Sequence, residues 1–225
     1  MSRRNETLQT EYDIVTNQMY RFGSLDNDID IINIVGKIQI SVLEVGTNTE
    51  HLKYKNYKEH FDKMHETENY SLSLLDDSMI SLKYVFNENG EIKSHNLSFV
   101  PSYRQDLFRD QDIEEEGWEA SEQQDANIPE EQYCKRLSNY IRIDYDVEGR
   151  QEFYHTLVHM HIGVFEYSVR LPLETAIYPN DFLYFIFKYI YHIDEDKLTK
   201  LDCPFKKNKM LTEKELLKFR MVYGE

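Results

Sequence analysis

Cysteine is almost missing from this chain. Cys134 and Cys203 stand far apart in 225 residues with no CxxC or Cys/His spacing, which excludes a disulfide framework and a cysteine-based zinc module and points to a reducing compartment. Glycine is scarce too: eight residues are scattered and form neither GxGxxG nor GxxxxGK, so phosphate-cradling loops of those kinds are absent. No serine sits in a GxSxG elbow, which argues against that type of Ser/His/Asp hydrolase. Long apolar runs are lacking. Phe182 to Tyr191, the most apolar stretch, is about half the length of a membrane span. The amino-terminal MSRRNETLQT carries no apolar signal segment, and a cytoplasmic protein with no membrane partner is expected.

Positive charge is the other deficit. Lys and Arg number 26 against 41 Asp and Glu, a net charge of −15, and this excludes a generally basic nucleic-acid-binding surface while leaving room for a small substrate cleft. Much of the acid lies between Asp110 and Asp125 around Trp118. That segment has little apolar periodicity and reads as a solvated loop; the sharper alternative is a docking surface for an unknown, basic protein partner.

Hydrophobic residues make up 40% of the chain, enough for an ordinary core. Apolar residues at Leu8, Tyr12, Val15, Met19 and Phe22 predict a packing helix that Gly23 stops. Ile29–Val35 and Lys37–Val45 read as strands divided at Gly36, and Tyr57, Phe61 and Met64 mark a helix over 54–65. Tyr70–Leu75, Met79–Phe86 and Ile92–Val100, separated by turn-rich Asp76-Asp77-Ser78 and Asn87-Glu88-Asn89-Gly90, predict a three-stranded antiparallel meander. His95 shares parity with Leu97 and Phe99 and is expected in the core. A short helix is expected from Pro129 through Leu137, carrying Cys134 as a structural thiol. A buried helix, apolar almost all round, is predicted over Phe182–His192, and the capping box of Thr212 and Glu215 with Leu211 and Leu216 predicts a terminal helix from Glu213 to about Val222.

The stretch 139–172 carries most of the chemistry. Strand parity puts Ile141, Ile143 and Tyr145 on one face and Arg142, Asp144 and Asp146 on the other; Val158, Met160 and Ile162 oppose His159 and His161; Val169 and Leu171 oppose Arg170. If the three strands are neighbours, the histidines, aspartates and arginines share one surface. Metal-free RNA cleavage is one reading, with His159 and His155 as base and acid, Arg142 and Arg170 holding phosphate, and Asp144 orienting a partner. A metal site on His159, His161 and Asp144 competes with it, since HxH on a strand lets both rings face one ion. A third reading makes the set a structural brace within an acidic, non-catalytic interaction subunit or antitoxin-like neutraliser.

The segments LSLLDDSMISLKYVFNENGEIKSHNLSFVPS, RIDYD, HTLVHMHIG and RLP, followed by the proline-initiated aromatic helix, resemble an uncharacterised bacterial family, domain of unknown function 2290. The likeness runs from about the first helix to Tyr191. A typical member has His-Pro where this chain has His155-Thr156 and often lacks a counterpart of His161, so the resemblance implies Arg142, Asp144, His155, His159 and Arg170 as the shared set. A glycine-turned hairpin followed by an Arg-x-Asp strand and a histidine-rich strand is also similar, over less of the chain, to small toxins of bacterial toxin–antitoxin loci. This resemblance implies a toxin-like or phage-defence setting.

The expected architecture is α+β: an antiparallel sheet of about six or more strands with helices mainly covering one face. A single domain is expected over 1–225, comprising a helix/strand/helix portion (1–66), the core sheet and buried helix (70–192) and a terminal helical extension (193–225). The expected function is a candidate metal-independent endoribonuclease with no cofactor, the interaction subunit and a metal-dependent hydrolase being the alternatives.

Overall fold

The computed structural model describes residues 10–25, 32–36, 39–42, 57–103, 140–147, 156–163, 169–201 and 210–216. The segments 104–139 and 148–155, which include the acidic run, Trp118, Cys134, the helix expected after Pro129, and His155, lie outside the described residues, as does Cys203.

The fold is α+β. Among the described residues eight strands form one sheet: β1 (Ile32–Val35), β2 (Gln39–Val42), β3 (Leu72–Leu74), β4 (Met79–Phe86), β5 (Ile92–Val100), β6 (Ile141–Asp146), β7 (Val158–Ile162) and β8 (Val169–Pro172). The path β1-β3-β4-β5-β6-β7-β8 is antiparallel throughout, and β2 joins β4 as a parallel neighbour beyond the end of β3. The amino-terminal strands therefore extend the main sheet. Gly36 is required between them because a Cβ there would lie 2.3 Å from the Tyr70 carbonyl oxygen, while its N–H donates to the Ser71 carbonyl at 2.8 Å.

Side-chain alternation divides the sheet into two faces. One buries Ile80, Leu82, Tyr84, Leu97, Phe99, Ile141, Ile143 and Met160 beneath two helices, α1 (Glu11–Tyr20), which the short α2 (Phe22–Leu25) follows, and α4 (Pro179–Tyr189). The first starts at a capping box in which Thr10 and Asp13 exchange hydrogen bonds. The second begins three residues earlier than its apolar pattern implies, because Pro179 occupies its first turn and Asp181 accepts from the Tyr178 N–H. Its packing is one-sided: Phe182, Leu183, Ile186 and Phe187 are buried, whereas Tyr189 is 60% exposed.

His95 belongs to this apolar face. It is buried between Tyr84 and Tyr145, and its Nε2 accepts the Ile177 N–H at 3.2 Å. Burial drives its pKa down to about 4, the Asp144 charge recovering part of the loss. Burial at this position penalises the charged imidazole.

Among the described residues, the opposite face carries a smaller apolar cluster at one end. Helix α3 (Tyr57–Glu66) lays Tyr57, Phe61 and Met64 on Met79, Val100 and Tyr140, and the Tyr57 hydroxyl donates to the Pro101 carbonyl. These sheet residues have the parity of Ser81, Ser98 and Arg142, so the helix packs at one end of the polar face. The expected carboxy-terminal capping box is present: Glu215 N–H donates to Thr212 Oγ1 at 3.2 Å, opening helix Glu213–Leu216.

Candidate functional site

Register determines which side chains meet. Asp144 lies opposite Asn96 on β5 and His159 on β7, while Arg142 lies opposite Ser98 and His161; His161 in turn faces Arg170 on β8. Paired residues in an antiparallel ladder project to the same side. Two polar rows therefore cross the sheet, Asn96–Asp144–His159 and Ser98–Arg142–His161–Arg170, with α3 and Tyr140 beyond one end. Arg142, Asp144, His159, His161 and Arg170 thus share a face, opposite Ile141, Ile143 and Met160.

Asp144 is the hub. Its Oδ1 accepts from Asn96 Nδ2 at 2.5 Å, and its Oδ2 accepts from Arg142 Nε at 2.8 Å. The same Oδ2 lies 3.4 Å from His161 Nε2 and 3.8 Å from His159 Nε2. Burial alone would raise the carboxyl pKa, but the His161 contact and the Arg142 charge outweigh it, and Asp144 is held well below the usual carboxylate range. The group is an anion at neutral pH. Arg142 is additionally tied to the Tyr140 side chain.

Both histidines are 3% exposed, and their rings meet edge to face at 4.8 Å between centroids. The backbone decides the tautomer of His159. Its Nδ1 lies 3.0 Å from the Thr156 carbonyl oxygen, which can only accept, so Nδ1 carries a proton and Nε2 turns toward Asp144. Thr156 is held in turn by its own hydroxyl, which donates to the Val158 carbonyl at 2.9 Å. Burial lowers the pKa of His161, and the nearby Arg142 and Arg170 charges act in the same direction, against the opposing pull of Asp144.

The three side chains form a ligand set. One ligating atom each from Asp144, His159 and His161 lies within 4.8 Å of the others. Zinc bond lengths of about 2.0–2.2 Å put the edges of a coordination tetrahedron at roughly 3.3–3.6 Å; the Asp144–histidine separations of 3.4 and 3.8 Å are near this, while the set as a whole spans up to 4.8 Å and its widest edge has to close around an ion. A histidine whose other ring nitrogen donates to a backbone carbonyl also matches the outer-shell pattern of metal-ligating imidazoles.

The arginines occupy different environments. Arg142 is 18% exposed and bound to Asp144, whereas Arg170 is exposed on the short strand β8. His155, the acid of the metal-free scheme, lies outside the described residues. No motif marks Asn96, although the parity of His95, Leu97 and Phe99 turns Asn96 and Ser98 to the polar face. The Thr156 carbonyl left no side-chain signal.

The comparisons assign the chain to a family. The family described as an uncharacterized conserved protein (DUF2290) matches residues 25–222, and the chain belongs to it. No curated protein and no solved structure matches. Among the described residues no helix is long and apolar enough to cross a membrane.

Proposed function

We propose that Asp144, His159 and His161 hold one divalent ion and that the chain is a metal-dependent hydrolase. The observation that carries this reading is the convergence of a half-buried carboxylate and two buried imidazoles, one with its tautomer set by the Thr156 carbonyl, with one ligating atom from each inside 4.8 Å of the others. Three protein ligands would leave a position for water or substrate, and an ion held there would supply Lewis-acid activation of the attacking water. Arg142 and Asn96 keep Asp144 ionised and oriented.

This arrangement favours an ion over a metal-free acid–base pair. His159 commits Nδ1 to a carbonyl and directs Nε2 toward Asp144, an orientation better suited to coordination than to proton shuttling. RNA cleavage in a toxin-like or phage-defence setting is the narrower form of the proposal, and it draws support from sequence likeness alone.

Zinc titration of chelator-stripped protein, followed calorimetrically, tests the reading. Wild type should take up one equivalent, and His159→Ala, His161→Ala and Asp144→Ala should each lose that uptake while retaining the far-ultraviolet dichroism of the sheet. Failure of folded wild type to bind zinc, manganese or ferrous iron would refute it. RNA cleavage that survives a chelator would favour the metal-free scheme.

A further inference from the structure

We infer that the substrate of this centre is a phosphate ester, gripped at its phosphoryl group by Arg170. The inference rests on the metal-hydrolase reading. His161 has an arginine opposite it on each neighbouring strand, Arg142 on β6 and Arg170 on β8. Only one is available for a ligand. Arg142 gives its Nε to Asp144 at 2.8 Å and is tied to Tyr140. Arg170 is exposed and makes no ion pair or hydrogen bond with any described residue.

Charge then selects the ligand. Asp144 and Arg142 cancel, Lys83 opposite Asn96 offsets Asp146 further along β6, and neutral imidazoles add nothing, so a divalent ion and Arg170 leave this face with three positive charges. A neutral ester or amide makes no use of the exposed guanidinium, and a cationic substrate is repelled. A phosphoryl group could place one non-bridging oxygen on the ion and another on the planar fork of Arg170, and a monoester has a third that would complete a two-oxygen grip by the fork. Hydrolysis there forms a bond from water oxygen to phosphorus and breaks the phosphorus–oxygen bond to the leaving alcohol, whose oxygen ends with a proton taken from the water. The net charge of −15 opposes a long polyanion, so the ester belongs to a small molecule or to a short single-stranded RNA segment.

The test titrates zinc-loaded protein, freed of excess ion, with inorganic phosphate and in parallel with acetate. Phosphate should bind wild type and should weaken at least about tenfold in Arg170→Gln, the loss expected for charged hydrogen bonds, with zinc affinity unchanged; Arg170→Lys should recover part of it. Phosphate binding equally well to Arg170→Gln, or acetate binding as tightly as phosphate, would overturn the inference. Incubation with a short oligoribonucleotide and with a small phosphomonoester then identifies the source, cleavage of either supporting the inference and cleavage of neither overturning the ester assignment. Failure of wild type to bind zinc would instead overturn the metal reading; phosphate retained by that metal-free protein and lost in Arg170→Gln would still support the anion site.

Discussion

Acidification should destabilise this protein well above the pH at which its carboxylates titrate, and His95 supplies a measurable share. The imidazole is buried on the apolar face between Tyr84 and Tyr145 and stays neutral by accepting the Ile177 N–H. Its pKa falls from an ordinary 6.5 to about 4 in the folded chain. Between those values the unfolded chain binds the extra proton. The contribution of His95 is therefore fully present above pH 6.5, declines as the pH falls, and is exhausted near pH 4. At about 1.4 kcal/mol per pH unit, the whole window amounts to about 3 kcal/mol. Urea unfolding followed by circular dichroism at pH 7.5, 5.5 and 4.5 reads it, with His95→Gln as the non-titrating comparison. His161, also lowered by burial, leaves a residual slope in both proteins. At pH 7.5 the variant should be less stable than wild type, and the gap should narrow steadily toward pH 4.5. A gap that stays constant would show that His95 titrates alike in the folded and unfolded chains and would refute the reasoning.

Other substitutions probe the sheet and the site. Gly36→Ala should destabilise by about 1–3 kcal/mol in chemical denaturation, because the new methyl group meets the Tyr70 carbonyl and must push β1 from β3. Phe61→Ala should cost about 3–5 kcal/mol by the same measurement, since the ring is fully buried between α3 and the polar-face cluster; a loss below 1 kcal/mol would mean that α3 is not docked there. Asn96→Ala removes an orienting hydrogen bond from Asp144 without removing a ligand, and zinc affinity should fall by about 10–100-fold. Unchanged affinity would show that Arg142 alone positions the carboxylate.

Much of this arrangement is legible in the sequence because strand parity is a strong constraint. A shift of one residue would move Ile141 and Ile143 out of the core and Arg142 and Asp144 into it, so alternation alone allots these side chains to faces. The turn residues between β4 and β5 likewise define that hairpin, in which Gly90 adopts φ 75°. Side-chain alternation does not encode which face receives α3: its apolar stripe at Tyr57, Phe61 and Met64 fits either side, and the choice is made by Met79, Val100 and Tyr140 at the strand ends. Nor does it separate Arg142 from Arg170. Both have the same parity, and the difference arises from the Asp144 carboxylate two residues along β6 and from the edge position of β8. The tautomer of His159 depends on a backbone carbonyl, which any residue at position 156 would supply. The early start of α4 follows from Pro179, whose favourable place in a first helical turn the apolar pattern alone does not register.

The metal centre is tested most directly by anomalous diffraction at the zinc edge from crystals grown with one equivalent of the ion. A single peak is predicted about 2.0–2.2 Å from one oxygen of Asp144 and from Nε2 of both His159 and His161, with Nδ1 of His159 still on the Thr156 carbonyl. A fully zinc-loaded protein whose peak lies elsewhere, or crystals in which Asp144 and the two imidazoles keep their separations with no peak between them, would contradict it.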